Sequence, residues 1–292
     1  MNSSHTGSVT TIPLLGILIY GLSVFAPAHA ETTNCTAITS LPAVITAQGV
    51  YCLTGNLSTS MTTGDAIEIQ ANNVTLDLNG FKLGGLGAGD GTETNGIYAN
   101  QRKNITIKNG IVRGFYRGIW LDDPFPYTTS SGHVVNDILA DQNTVRAIVV
   151  AGVGNTVRRN TVVDTGGSTQ GSSATGIYVL GSGAKVTDNS VSTTTAISTG
   201  VAFGMLFSSA DYSLVANNTV TDTVATGTGS SYAIRILLSA GIFARDNNLA
   251  NAQDGLSFLT STGIYKDNLT FDVTLPFPTI FGTDGGGNVS AP

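Results

Sequence analysis

Charge is scarce in this 292-residue chain: Lys, Arg, Asp and Glu make up 11% of it, 13 basic against 19 acidic residues. The resulting formal charge of −6 excludes a general nucleic-acid binder, whose affinity rests on neutralising phosphates. Only two cysteines are present, Cys35 and Cys52, too few for a disulfide-dense scaffold. With no other Cys to join them they are also a poor start for a zinc site. After the first thirty residues no apolar run is long enough to cross a bilayer as a helix. Long amphipathic helical patterns are missing as well. What remains is a chain rich in Gly, Thr, Ser, Asn and Val with short alternating apolar segments, the composition of many short strands.

The first thirty residues stand apart. Residues 14–26 form a short apolar run interrupted by Gly16 and Gly21, and Ala28, His29 and Ala30 give the small-residue pattern of a signal-peptidase site. Cleavage after Ala30 is expected, which makes the protein secreted or periplasmic. No Lys or Arg precedes the run, so an uncleaved anchor or a different start codon remains the alternative. Export would let Cys35 and Cys52 pair, and closing that short loop contributes about 3 kcal/mol. Two buried free thiols are the other reading.

Periodicity carries the fold. Asn79, Asn109, Asn136, Asn160, Asn189, Asn218, Asn247 and Asn268 each lie at or just after a β-type segment, at spacings of 30, 27, 24, 29, 29, 29 and 21. A second phase is interleaved: Gly96-Ile97-Tyr98, Gly118-Ile119-Trp120, Ala147-Ile148-Val149, Gly176-Ile177-Tyr178, Gly204-Met205-Leu206, Ala233-Ile234-Arg235 and Gly255-Leu256-Ser257. Two phases at one period mean at least two strands per turn of a solenoid, in which stacked coils bury together what one coil cannot bury alone. An Asn at the bend can bond the equivalent Asn one coil away while tolerating the left-handed conformation of a turn, and the Gly of the second phase suits a tight corner. These residues are therefore read as structural.

The segments Asn73-Val74-Thr75-Leu76-Asp77-Leu78-Asn79-Gly80-Phe81, Gly96-Ile97-Tyr98 and Asn104-Ile105-Thr106-Ile107-Lys108-Asn109-Gly110 resemble the pectate-lyase-like superfamily. The resemblance covers residues 65–275 and implies an all-β right-handed parallel β-helix of about eight coils. It is specific for fold only, since that solenoid carries lyases, hydrolases, epimerases, phage tailspikes and non-catalytic binders. Residues 31–64 read as an N-terminal cap holding the possible disulfide, and residues 276–292 as a closing segment and tail. Polar excursions at 122–131, 165–175, 193–203 and 223–231 read as loops that lengthen individual coils, where binding surfaces are often built.

A site on such a fold must recur at equivalent positions of neighbouring coils. Aligned on the second phase, Tyr98, Trp120, Val149, Tyr178, Leu206, Arg235 and Ser257 form one column. Asn100, Asp122, Ala151, Leu180, Ser208, Leu237 and Leu259 form the next. Tyr98 and Trp120, if they face outward, offer rings on which sugars stack; if inward, they are core. Eight of the thirteen basic residues lie between positions 102 and 159, among them Arg102, Lys108, Arg113, Arg117 and Arg146, suiting an anionic polymer. Cross-coil ion pairs such as Asp77 over Lys108 are the plainer explanation of that excess. Asp122, Asp123, Tyr127 and His133 form the most reactive-looking group: a carboxylate pair can divide acid and base roles, and His can carry a proton.

Asp122-Asp123, Gly132-His133 and Arg235-Ile236 echo elements of polygalacturonases, but those should stack on successive coils, and here they do not. Nor is a pectate-lyase calcium and arginine signature identifiable, although calcium is the cofactor the resemblance would admit. The leading expectation is an exported solenoid that binds a polysaccharide, probably acidic, along its N-terminal coils. The alternatives are a lyase or C5-epimerase acting on uronic-acid polymers and a non-catalytic adhesive surface protein.

Overall fold

The computed structural model describes residue 1, residues 34–278 and residues 281–292. The expected signal peptide, apart from Met1, lies outside the described residues. From Thr36 onward the described chain forms 27 strands, all pairings parallel, with one short 3-10 turn at Leu86–Ala88. Each strand pairs with its equivalent one coil later, so three columns of strands run along the molecule. The first column passes through Asp65–Ile69, Asn95–Asn100, Arg117–Asp122, Arg146–Ala151, Ala174–Leu180, Ala202–Ser208 and Ser231–Leu237. The second begins at Thr36–Ile38, and the third includes Thr161–Gly166, Ser190–Ala196 and Thr219–Ala225. This is the parallel β-helix expected from the repeat.

Alternation along each strand sends every second side chain inward. Ile67, Ile97, Ile119, Ile148, Ile177, Met205, Ile234 and Leu256 stack in register on the first column, all fully buried. The small residues that precede them answer a crowding problem rather than a turn. A Cβ on Gly96 would sit 2.4 Å from the Gly118 carbonyl oxygen, and one on Gly118 would sit 2.6 Å from that of Ala147. Ala147 and Ala233 show that a single methyl is tolerated at other levels of this column.

The asparagine repeat resolves into a ladder that begins at Asn160; before it, Asn79 donates its side-chain amide to the Leu53 carbonyl at 3.1 Å. Asn160 donates its side-chain amide to Asn189 Oδ1, Asn189 to Asn218 and Asn218 to Asn247, each at 3.0 Å, and the series continues through Asn268 to Asn288. Each Oδ1 also accepts the backbone N–H of the Asn one coil earlier, so buried polar groups satisfy one another down the stack. Asn109 and Asn136, which share the spacing, are not in it. Strand register puts Gly110 and Ile138 at the ladder level instead. The left-handed backbone at this bend belongs to the residue before each ladder Asn, namely Arg159, Asp188, Asn217, Asp246 and Asp267.

Coil pairing also reaches beyond both expected boundaries. Thr36–Ile38 and Gly49–Leu53 pair with each other and then with Val74–Asp77, so the segment read as a cap supplies ordinary coil strands. Gly282–Asp284 and Val289–Ala291 add to the far end in the same way. These strands are only two to five residues long and largely exposed, which removes the burial alternation that makes inner coils legible. Cys35 and Cys52 form a disulfide that ties the start of the first coil to the next, their Cα atoms 5.8 Å apart.

Candidate functional site

The outward face of the first column gathers aromatic and ionisable side chains over its early coils. Register places Tyr98, Trp120, Val149, Tyr178, Leu206, Arg235 and Ser257 in one line, as the sequence alignment predicts, and adds Glu68 one coil before them. Three residues earlier on each strand runs Asp65, Asn95, Arg117, Arg146, Thr175, Phe203, Tyr232 and Asp254. Tyr98 and Trp120 are half-buried and outward, with ring centroids 4.8 Å apart. The Arg117 guanidinium carbon lies 4.0 Å over the Trp120 ring, and that of Arg146 lies 5.3 Å from Tyr178.

Arg117 and Arg146 are direct cross-strand neighbours of like charge. Among the described residues neither forms an ion pair. Arg117 donates to Asn95 Oδ1 at 3.3 Å, and Asn95 donates in turn to Asp65 Oδ1 at 2.8 Å. Burial, reinforced by the neighbouring Arg146 charge, lowers the Arg117 pKa, although a guanidinium stays charged at ordinary pH. Burial pushes the Asp122 carboxyl up, against the opposing pull of the Asp123 backbone N–H, the Trp120 indole and Arg117. It likewise raises Asp65 and Tyr98, and the carboxylates of Asp122, Asp65 and Glu68 push the Tyr98 phenol higher still. Shifts of this kind concentrate where charge is kept close together for use.

The adjacent aspartates do not act as a pair in space. Asp122 ends the strand on the outward face, half-buried, whereas Asp123 turns inward and is 1% exposed. Asp123 Oδ2 accepts the backbone N–H groups of Thr129 and Ser130, both at 2.9 Å, fastening the base of the loop at 124–130. His133 is not on an exposed loop: it is 1% exposed and its Nδ1 accepts the Ile105 backbone N–H at 3.3 Å. Burial lowers its pKa to about 4, opposed by nearby Asp123. Tyr127, at the loop's tip, packs with Trp120 and Tyr178 against Val149, Ala151 and Leu180, and so reaches the outward face.

The basic residues spread over different faces. Lys108 sits on the second column and pairs with Asp77 at 3.1 Å; Arg113 sits on the third and pairs with Asp141 at 2.9 Å. Arg102 lies in the turn after Asn95–Asn100, half-buried. Of the basic residues between positions 102 and 159, Arg117 and Arg146 share a face with Tyr98 and Trp120. Asp65, Glu68, Asn95 and Tyr178 complete that face, and sequence reasoning did not single them out as site residues. Ala66-Ile67-Glu68 repeats the small-apolar-outward pattern one coil before Gly96 and was the available signal. Among the described residues no group of three His, Cys, Asp or Glu side chains converges as metal ligands. The face is open, and a concavity of about 440 Å³ lies off it, lined by Leu238, Ala240, Thr262 and Phe281.

Residues 16–191 match the family described as right handed beta helix region, more than half of the chain. No curated protein matches the sequence. Among solved structures, the Dettilon tailspike protein aligns with a TM-score of 0.59 at 14% identity, over 87% of this chain and 59% of that one. The periplasmic alginate epimerase AlgG aligns with a TM-score of 0.53 at 12% identity, over 84% of this chain and 70% of that one. A second tailspike, from bacteriophage CBA120, aligns at 0.53 and 10% identity, over 84% and 38%. The chain thus spans a little under three fifths of the Dettilon tailspike, and at such identities what is shared is the fold. Three parallel columns, an interior asparagine ladder and the sequence match agree: the chain belongs to the right-handed parallel β-helix family.

Proposed function

We propose that this is an exported protein that binds an acidic polysaccharide along the outward face of its early coils. The observation that carries the reading is the pair Arg117 and Arg146, adjacent, without carboxylate partners, and seated on Trp120 and Tyr178. Guanidinium groups held by aromatic rings present donors in a fixed plane, which suits the carboxylates of successive uronate rings. Tyr98 and Trp120 supply faces for the apolar side of a sugar. A periplasmic alginate epimerase shares the fold, which places uronan chemistry within its range without assigning it.

The test is a panel of alginate, pectate and glycosaminoglycans against the mature protein at modest ionic strength. Binding that weakens with salt and is lost in Arg117→Gln/Arg146→Gln is expected. No binding across the panel overturns the proposal.

One arrangement favours a second reading, a lyase or C5-epimerase. Asp122 and Tyr98 lie on paired strands beside the two arginines, and their raised proton affinities suit groups that take up and hand on a proton. Arg117 and Arg146 would neutralise the uronate while Asp122 or Tyr98 removes the C5 proton; the other then protonates O4 as the C4–O bond breaks, or returns a proton to the opposite face of C5. Asp123 and His133, buried under the loop, would position Asp122 rather than touch substrate. Incubation with the same polymers would then give an absorbance rise at roughly 235 nm from an unsaturated uronate, or changed uronate NMR signals. Full activity in Asp122→Asn would remove Asp122 from that role.

A further inference from the structure

We infer that the same face carries a second subsite at Phe203, Tyr232 and Arg235, built to hold a further sugar ring of the same polymer by stacking and hydroxyl contacts rather than by its charge. The inference rests on the polysaccharide reading above and adds a place and a chemistry to it. Phe203 and Tyr232 are paired across adjacent strands, their rings 5.5 Å apart and only 14° from parallel, and both remain partly exposed. They lie in the column of Arg117 and Arg146, while Arg235 lies in the column of Trp120. The Arg235 guanidinium carbon is 4.3 Å from the Tyr232 ring centre, so an Arg again sits on an aromatic ring.

The difference is charge. Asp254 lies 4.0 Å from Arg235, and Ser257 on the next coil accepts a hydrogen bond from it. Burial raises the Asp254 carboxyl and Arg235 draws it back down, which marks the two as mutual partners. The guanidinium is therefore answered within the protein. Its remaining N–H groups can donate to hydroxyls, but it offers no uncompensated charge to a carboxylate.

Position supports one continuous ligand. From Arg117 through Arg146, Thr175 and Phe203 to Tyr232 there are four register steps. At the usual spacing of paired strands these span about 19 Å. Pyranose rings in an extended chain repeat at a distance comparable to that spacing, so one chain lying along the coil axis meets both platforms. The early coils take its carboxylates, and the later platform takes a ring by stacking and hydroxyl contacts alone.

The experiment is titration calorimetry of the mature protein with oligogalacturonates and oligomannuronates graded in length, and with neutral oligoglucosides. Tyr232→Ala is compared with Tyr232→Phe, Trp120→Ala and the parent, with thermal melts as the control for folding. In Tyr232→Ala the shortest oligouronate that binds should keep its affinity, while the extra affinity of longer ones drops by about tenfold, the worth of one aromatic platform. Tyr232→Phe should behave as the parent, and Trp120→Ala should weaken every length. Equal affinity of Tyr232→Ala and parent for long oligouronates overturns the inference, as does an equal loss at all lengths. If no oligouronate binds the parent, the acidic-polymer reading fails. The subsite then stands only if oligoglucosides bind in a Tyr232-dependent way, and falls if they do not.

Discussion

The two halves of the solenoid keep their coils in register by different means. From Asn160 onward one buried asparagine per coil bonds the next, at intervals of 29, 29, 29, 21 and 20 residues. Before it Gly110 and Ile138 occupy that level, and register is held by the Cys35–Cys52 disulfide and ion pairs such as Lys108 with Asp77 and Arg113 with Asp141. The loop fastened by Asp123 and the unpaired arginines also fall in this less regular half. A ladder whose asparagines satisfy one another at every level leaves none of its own polar groups free for a ligand. Where it lapses, side chains are released for recognition, in keeping with the observation that departures from local consistency mark functional sites.

The comparison can be broken most directly at the ladder. Asn189→Ala removes the acceptor of the Asn160 backbone N–H and amide, and the donor to the Val157 carbonyl, all buried. A loss of about 3 kcal/mol in urea denaturation is expected. Asn109→Gly keeps the left-handed backbone at that residue and loses a part-buried bond to Asp77, so it should cost about 1 kcal/mol or less. Equal costs would show that the ladder is not what distinguishes the halves.

The early half should also be the acid-sensitive one. His133 has its folded pKa depressed to about 4 from an ordinary 6.5, so the folded state favours the neutral ring. The unfolded chain binds that proton more readily, and stability falls as pH drops from 6.5 towards 4. Melting temperature followed across that window should decline in the parent and decline less in His133→Gln. A profile unchanged by the substitution would remove His133 as the cause.

Binding sharpens the contrast further. Trp120→Ala should weaken an acidic polymer by about tenfold or more, through loss of both ring surface and the seat of Arg117. The smallest expected effect is a gain. Asp254→Asn frees the Arg235 charge, so uronan affinity at low salt should rise a few-fold, with a steeper salt dependence. No change in Asp254→Asn would mean that the later platform does not meet the charged chain.

Much of this was legible in sequence because a solenoid turns period into register. The column through Tyr98, Trp120, Tyr178 and Arg235 follows from alignment alone, and strand register pairs these residues as aligned. Facing was harder to read. Lys108, Arg113 and Arg117 are close in the chain, yet bends after Lys108 and Arg113 send them to three different columns. Asn109 and Asn136 share the repeat spacing but stand one and two positions before the ladder level, a shift that spacing alone does not expose. His133 reads as a loop residue because polar neighbours surround it, whereas the coil closes over it and Ile105 claims its ring nitrogen. Asp65 and Glu68 escaped because the second phase was counted from Gly96, one coil too late.

The disulfide has a consequence for how the molecule comes apart. Coils that touch only their neighbours unravel from the ends, as a stack loses its outermost members first. One end is tied covalently, since opening the first coil leaves Cys35 still joined to the strand behind it. The other finishes in Gly282–Asp284 and Val289–Ala291, short strands with exposed side chains and no such tie. Among the described coils, those built from these short strands should therefore open more readily than the one the disulfide holds, and limited proteolysis of the folded protein should cut there before it cuts near Cys35.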